Sequence, residues 1–252
     1  MSSPLNPEHF PRGIALFLDI DGTLLEIAEK PESVVVPQKL KRLISELRSC
    51  LEGAVAFISG RSIANIDKLF EPLKLPTSGK HGLERRDALG QRHGSEYLAL
   101  QEIKSFRKEL GKFVLQNPGT ILEDKGETVA LHYRLRPKAK EQAHKIIRSL
   151  LLHHKKLEII AGKMVFEVRP KSSNKGIAIA SFLEEPPFFG KTPIFIGDDR
   201  SDEDGFKMVN ERGGLSILVS HQSPSEARWR LDDVSEVKIW LAAFVANMKK
   251  KS

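Results

Sequence analysis

Apolar and polar positions alternate along the chain in short blocks that predict strand and helix in turn. Ile14 to Leu18 is an unbroken apolar run, the pattern of a parallel strand covered on both faces. Leu40, Leu43, Ile44 and Leu47 then recur at i, i+3, i+4 and i+7, which predicts an amphipathic helix entered through Pro37. Ala54 to Ile58 repeats the strand signal, and Ile63, Ile66, Leu69 and Phe70 repeat the helical one.

From about Glu96 the texture changes. Ile103, Phe106, Leu110 and Phe113 mark a helix that Asn117-Pro118-Gly119 should end. Thr120 to Glu123 and Thr128 to Arg134 read as a hairpin bending near Asp124-Lys125-Gly126, with Val129, Leu131 and Tyr133 on one face. Ala143, Ile146, Ile147, Leu150 and Leu151 predict a second helix. Leu157 to Ala161 and Lys163 to Arg169 predict a second hairpin turning at Gly162, with Met164, Phe166 and Val168 sharing the apolar face and Glu167 and Arg169 opposite. Two repeats of helix plus hairpin describe an α+β unit, one antiparallel sheet with helices on one side. The strand-helix pattern then resumes: a helix through Ile177, Ala180 and Leu183, a strand at Pro193 to Ile196, a last core strand at Leu215 to Val219, and a closing helix carrying Val237, Leu241, Phe244, Val245 and Met248. The expected fold is α/β, a Rossmann-like parallel sheet interrupted by an inserted α+β domain. The expected boundaries are 1–95 and 171–252 for the core and 96–170 for the insertion.

Composition narrows the class. With 252 residues, 40% hydrophobic and 29% charged, the chain has the make-up of an ordinary globular protein. No run reaches the length of a membrane span, and the polar start from Met1 to Pro7 carries no signal-peptide pattern, so a cytoplasmic protein without a membrane partner is expected. Cys50 is the only cysteine, which excludes an intrachain disulfide and a multi-cysteine zinc site. A net charge of +7 favours anionic ligands. The basic residues are scattered apart from Lys249-Lys250-Lys251, so no nucleic-acid partner is expected.

Chemistry enters at the strand ends. Asp19 and Asp21, in Asp19-Ile20-Asp21-Gly22-Thr23, directly follow the first predicted strand, where ligands of open α/β sheets bind. Carboxylates this close repel each other unless a cation sits between them or one is protonated. Mg²⁺, a hard ion that takes oxygen ligands, is the natural candidate. A second pair, Asp198-Asp199, follows the strand ending at Ile196. Ser59 follows the second strand and can either hold a phosphate oxygen or cap the next helix. Gly79-Lys80-His81-Gly82 is a basic loop of similar ambiguity. Lys175 opens a helix, where its charge opposes the dipole unless an anion is near. For Glu123, Lys125, His132 and Glu167 on the inserted sheet, solvation of a polar face is a sufficient account of their residue types.

Asp-x-Asp-Gly-Thr, a Ser after the second strand, a Lys opening a helix and Gly-Asp-Asp after a later strand, in this order, resemble the haloacid dehalogenase superfamily of phosphotransferases. The resemblance implies Asp19 as nucleophile, Asp21 as general acid and base, and Ser59 and Lys175 as holders of the phosphoryl group. It also implies Mg²⁺ on Asp19, the Asp21 carbonyl and Asp198, with Asp199 in support, and it makes the insertion a cap. A narrower likeness rests on Gly197-Asp198-Asp199-x-Ser201-Asp202-Glu203, Ile58-Ser59-Gly60-Arg61, Gly79 to Glu84, Leu131-His132-Tyr133-Arg134 and Glu167 to Lys171. These are similar to motifs of the trehalose-6-phosphate phosphatase family, which usually has Thr where Ser201 stands. This likeness implies trehalose 6-phosphate as substrate, with Glu123, Lys125 and Glu167 on the disaccharide and Arg61, His81 and His132 as further substrate contacts. Cap hinges are expected near Leu89-Gly90 and Pro170-Lys171-Ser172, and a monomer is expected. A phosphatase of another sugar phosphate, a phosphomutase, and a non-catalytic sugar-phosphate-binding regulator are the alternatives.

Overall fold

In the computed structural model, which describes residues 13–27, 34–94, 97–124, 126, 128–162, 164–171, 174–219 and 224–251, the chain begins with β1 (Ile14–Leu18), α1 (Gln38–Cys50), β2 (Val55–Ile58) and α2 (Ile63–Phe70). Three short strands follow, β3 (Thr77–Gly79), β4 (Glu84–Arg86) and β5 (Arg92–Gly94). Next come α3 (Tyr97–Gln116), the hairpin β6 (Ile121–Asp124) and β7 (Val129–His132), α4 (Lys140–Leu151), and the hairpin β8 (Leu157–Gly162) and β9 (Val165–Pro170). The chain continues with α5 (Lys175–Leu183), β10 (Thr192–Gly197), α6 (Glu203–Glu211), β11 (Leu215–Val219), β12 (Trp229–Leu231) and α7 (Val234–Lys251). It divides into two units, Met1–His93 with Asn174–Ser252, and Gly94–Ser173. Among the described residues no helix is long and apolar enough to cross a membrane.

The first unit is built on a sheet of order β12-β11-β10-β1-β2-β3-β4-β5, parallel from β12 to β3 and antiparallel at β3 and β4. The unbroken apolar run of β1 follows from its central position. Ile14, Leu16 and Leu18 pack with Leu40, Ile44 and Leu47 of α1 and Leu241 and Phe244 of α7. Ala15 and Phe17 turn the other way, onto Ile179 and Phe182 of α5 and Phe206 and Val209 of α6. Alternation along one strand thus feeds two apolar layers, and each fully buried large side chain contributes about 1.5–3 kcal/mol. The chain leaves β1 for β2 on one side, whereas β10 lies on the other. Such a reversal opens a crevice at the carboxyl ends of the strands.

Three short strands, β3, β4 and β5, escape the hydrophobic pattern, and Leu215 to Val219 is not the last core strand, because β12 pairs parallel with it through Val219 and Leu231. Leu89-Gly90, one expected hinge, lies between β4 and β5. There Asp87 Oδ1 accepts from Leu89 N at 3.0 Å and Gln91 N at 2.8 Å, so the turn is pinned by its own hydrogen bonds. In the other expected hinge, Ser172 lies outside the described residues.

The second unit is an antiparallel sheet of order β6-β7-β9-β8. Val129, Leu131, Phe166 and Val168 form its covered face with Ile103, Phe106 and Leu110 of α3 and Ala143 and Ile147 of α4. On the opposite face, register aligns Glu123, Ala130, Glu167 and Ile160 across the four strands. The second hairpin turns one residue later than expected: Gly162 still belongs to β8, and Met164, with φ 63°, bends the chain instead of lying on β9.

Candidate active site

The loop after β1 starts while still tied to the sheet, since Asp19 N donates to Ile196 O of β10 at 3.0 Å. At Gly22 the backbone has φ +80°, and an added Cβ would fall 2.0 Å from Asp198 Oδ2. Glycine is required there twice over, by conformation and by the closeness of the second acidic loop. The side chain of Asp19 is buried, and its Oδ1 accepts from Lys175 Nζ at 2.9 Å.

Lys175 sits at the start of α5, capped by Asn174, whose Oδ1 accepts from Ile177 N at 2.7 Å. The anions that its position demands are supplied from within the chain. Besides Asp19, Lys175 Nζ meets Asp202 Oδ1 at 2.6 Å. Asp202 is completely buried, and its Oδ2 accepts from Asp198 N at 3.0 Å and Asp199 N at 3.1 Å. One carboxylate therefore fixes the lysine and the backbone of the second acidic loop. Sequence reasoning gave Asp202 no role; its spacing of four from Asp198, facing back into the loop, was the available signal.

Carboxylate oxygens of Asp19, Asp198 and Asp202 lie within 4.8 Å of one another. Burial, with the charges of Asp202 and Asp199, pushes Asp198 up to about 7. Burial likewise raises Asp19 and Asp202 against the opposing charge of Lys175. Burial works against the charge of Lys175, but Asp19 and Asp202 outweigh it and hold the ammonium above its ordinary value. Burial also opposes ionisation of Asp199, yet Lys175 and the Ser201 hydrogen bonds bring its carboxyl below the usual range. More negative charge is concentrated here than one lysine balances, and all the donors are oxygen, so a hard divalent cation fits. Both oxygens of Asp202 are already engaged, whereas Asp19 and Asp198 line a cavity of about 640 Å³.

Asp21, Ser59, Arg61, His81, Lys175 and Asp199 line the same cavity. The structure thus brings together eight of the residues singled out in the sequence, from both sides of the second unit in the chain. Arg61 sets both edges of its fork on Asp21, Nε to Oδ2 and Nη2 to Oδ1, each at 2.6 Å. Ser59 is not a helix cap: Ser62 caps α2, accepting from Asn65 N at 3.3 Å, while Ser59 Oγ accepts from Arg61 N at 3.2 Å. That leaves the Ser59 hydroxyl hydrogen to donate. His81 holds a left-handed backbone, φ 56°.

The remaining candidates belong to the second unit. Glu123 Oε2 lies 2.8 Å from His132 Nε2, and Thr128 Oγ1 donates to Glu167 Oε1 at 3.0 Å, all on the face away from the helices. Lys125 lies outside the described residues.

A family model described as trehalose-phosphatase matches residues 17–235. The chain is 38% identical over 237 residues to the trehalose-6-phosphate phosphatase of Escherichia coli, covering 94% of this chain and 88% of that protein. It is 41% identical over 231 residues to a Sinorhizobium fredii protein named "Probable trehalose-phosphate phosphatase", covering 91% and 86%. Its fold is similar to that of Aspergillus fumigatus trehalose-6-phosphate phosphatase, with a TM-score of 0.78 at 26% identity over 93% of each chain. With acids from two strand ends meeting a buried lysine in one crevice, and a family model that spans most of the sequence, this chain belongs to the trehalose-phosphatase family.

Proposed function

We propose that the protein hydrolyses trehalose 6-phosphate to trehalose and phosphate, using Mg²⁺ and an aspartyl phosphate (acyl phosphate) formed on Asp19. The observation that carries this is the setting of Asp19: a buried carboxylate opening on the cavity, held by Lys175 at 2.9 Å, with Asp21, Ser59 and Asp198 on the same walls. In the first step an Asp19 oxygen bonds to phosphorus as the bond from phosphorus to the sugar oxygen breaks, and Asp21 gives that oxygen a proton. Water then attacks phosphorus, the bond to Asp19 breaks, and a proton from the water returns to Asp21. Lys175 and the free Ser59 hydroxyl hydrogen stabilise charge on the phosphoryl oxygens. Asp19, Asp198 and the Asp21 carbonyl would hold Mg²⁺, whose positive charge would offset repulsion between carboxylate and phosphate. A protonated Asp21 keeps only one strong acceptor oxygen, so the Arg61 fork loosens at one edge whenever the proton is present.

Glu123, Lys125, His132 and Glu167 are assigned to the sugar, whose hydroxyls suit charged hydrogen-bonding partners. Arg61 and His81 are assigned as further substrate contacts, and Asp199 to support of the loop that carries Asp198. The setting proposed is a monomeric cytoplasmic enzyme; the free thiol of Cys50 suits a reducing compartment.

Phosphate release with Mg²⁺ tests the proposal across trehalose 6-phosphate, glucose 6-phosphate, sucrose 6-phosphate and an aryl phosphate. Strong preference for trehalose 6-phosphate is expected, with Asp19→Asn about 10³-fold or more slower at an unchanged melting temperature. Near-normal release by that variant would remove the nucleophile assignment, and activity confined to another ester would remove the substrate.

A further inference from the structure

We infer that Asn65 is a positioning residue for the proton-transfer step: it anchors the Arg61 guanidinium, which holds Asp21 by the oxygen that does not carry the proton and so aims the acid at the leaving oxygen. The inference rests on the reading of Asp21 as general acid and base.

Arg61 is fixed at its backbone. Its N–H donates to Ser59 Oγ at 3.2 Å, and its carbonyl accepts from Lys80 N at 2.9 Å. Its side chain has several rotatable bonds, and two hydrogen bonds to Asp21 alone leave the pair free to swing as one body. The third edge removes that freedom: Arg61 Nη1 donates to Asn65 Oδ1 at 2.7 Å. Asn65 itself is on the first turn of α2, its backbone N–H held by Ser62 Oγ at 3.3 Å. The Asp21 side chain is 35% exposed and that of Arg61 only 10%, so the arginine is the fixed partner and the acid the one being aimed. The chain of contacts runs from a capped helix turn through Asn65 and Arg61 to both oxygens of Asp21. Asn65 acts through Arg61, and misplacement of a proton donor by about 1 Å is enough to cost two orders of magnitude in rate.

The dependence on leaving group separates this role from simple structural support. The ratio kcat/KM reports events up to formation of the Asp19 acyl phosphate, where a general acid matters for a sugar alkoxide and little for a nitrophenolate. Asn65→Ala, a substitution favourable to helix, is expected to lower kcat/KM for trehalose 6-phosphate by about 10- to 100-fold while 4-nitrophenyl phosphate changes by less than about 3-fold. Asn65→Asp keeps an acceptor oxygen at the same place and is expected to restore the sugar ester to within about 3-fold. No loss in Asn65→Ala, an equal loss on both esters, or no recovery in Asn65→Asp would overturn the inference. Asp21→Asn, assayed in parallel, tells the two failures apart. If it shows the leaving-group split and Asn65→Ala does not, only the positioning role falls; if it also lacks the split, the acid role of Asp21 falls and this inference with it.

Discussion

β1 and β7 both lie inside their sheets, yet they are used differently. Every residue of β1 is buried, and its side chains feed apolar layers on both faces. On β7 only Val129 and Leu131 meet the helical layer, while Ala130 and His132 face the open side of the sheet. In the first unit, the acids that line the cavity therefore sit beyond the ends of β1 and β10, where the loops start from backbone already fixed by the sheet. In the second, the polar groups stand along the strands themselves, and exchanging one of them leaves the backbone ladder in place. Rigid chemistry suits the first arrangement, and adjustable recognition suits the second.

Asp202→Ala probes the first arrangement hardest. It leaves Lys175 with Asp19 alone and strips two backbone N–H groups, those of Asp198 and Asp199, of their acceptor. A loss of about 3–5 kcal/mol in urea unfolding is expected, together with a collapse of phosphate release. A loss below about 1 kcal/mol would mean that the acidic loops hold themselves up. Glu167→Ala probes the second. Its kcat/KM on trehalose 6-phosphate is expected to fall by about 10- to 100-fold, or about 1.4–2.7 kcal/mol, and on an aryl phosphate by less than about 3-fold. Equal losses would make Glu167 a support of the chemistry and erase the contrast between the units. Ile121→Ser should do least. Ile121 is 51% exposed, on the face of the sheet away from the helices, so unfolding free energy should move by no more than about 0.5 kcal/mol. A larger shift would show that this face is covered.

Much of the frame was legible because the signals were local. The runs at β1 and β2 and the i, i+3, i+4 spacing in α1 need no knowledge of distant residues. β3 was not legible, since Thr77-Ser78-Gly79 is polar and is buried only because the sheet extends past β2. Met164 looked like a strand residue on the apolar face, but its left-handed backbone is set by the turn. Within the cavity, residue types at strand ends pointed to Asp19, Asp21 and Asp198. Asp202 received no role of its own, because its partner, Lys175, lies 27 residues away. The fork of Arg61 on Asp21 spans 40 residues and leaves no trace in local pattern.

Gly22 carries a consequence for how such an enzyme can change over generations. A methyl group there would sit 2.0 Å from Asp198 Oδ2, on a backbone that disfavours any side chain. The two acidic loops are therefore mechanically interlocked although 176 positions of sequence separate Gly22 from Asp198. A shift of either loop is felt by the other, so a change in one calls for a matching change in its partner. On the proposed assignment of Glu123, His132 and Glu167 to the sugar, libraries that seek new sugar preferences should leave both loops untouched and diversify those three.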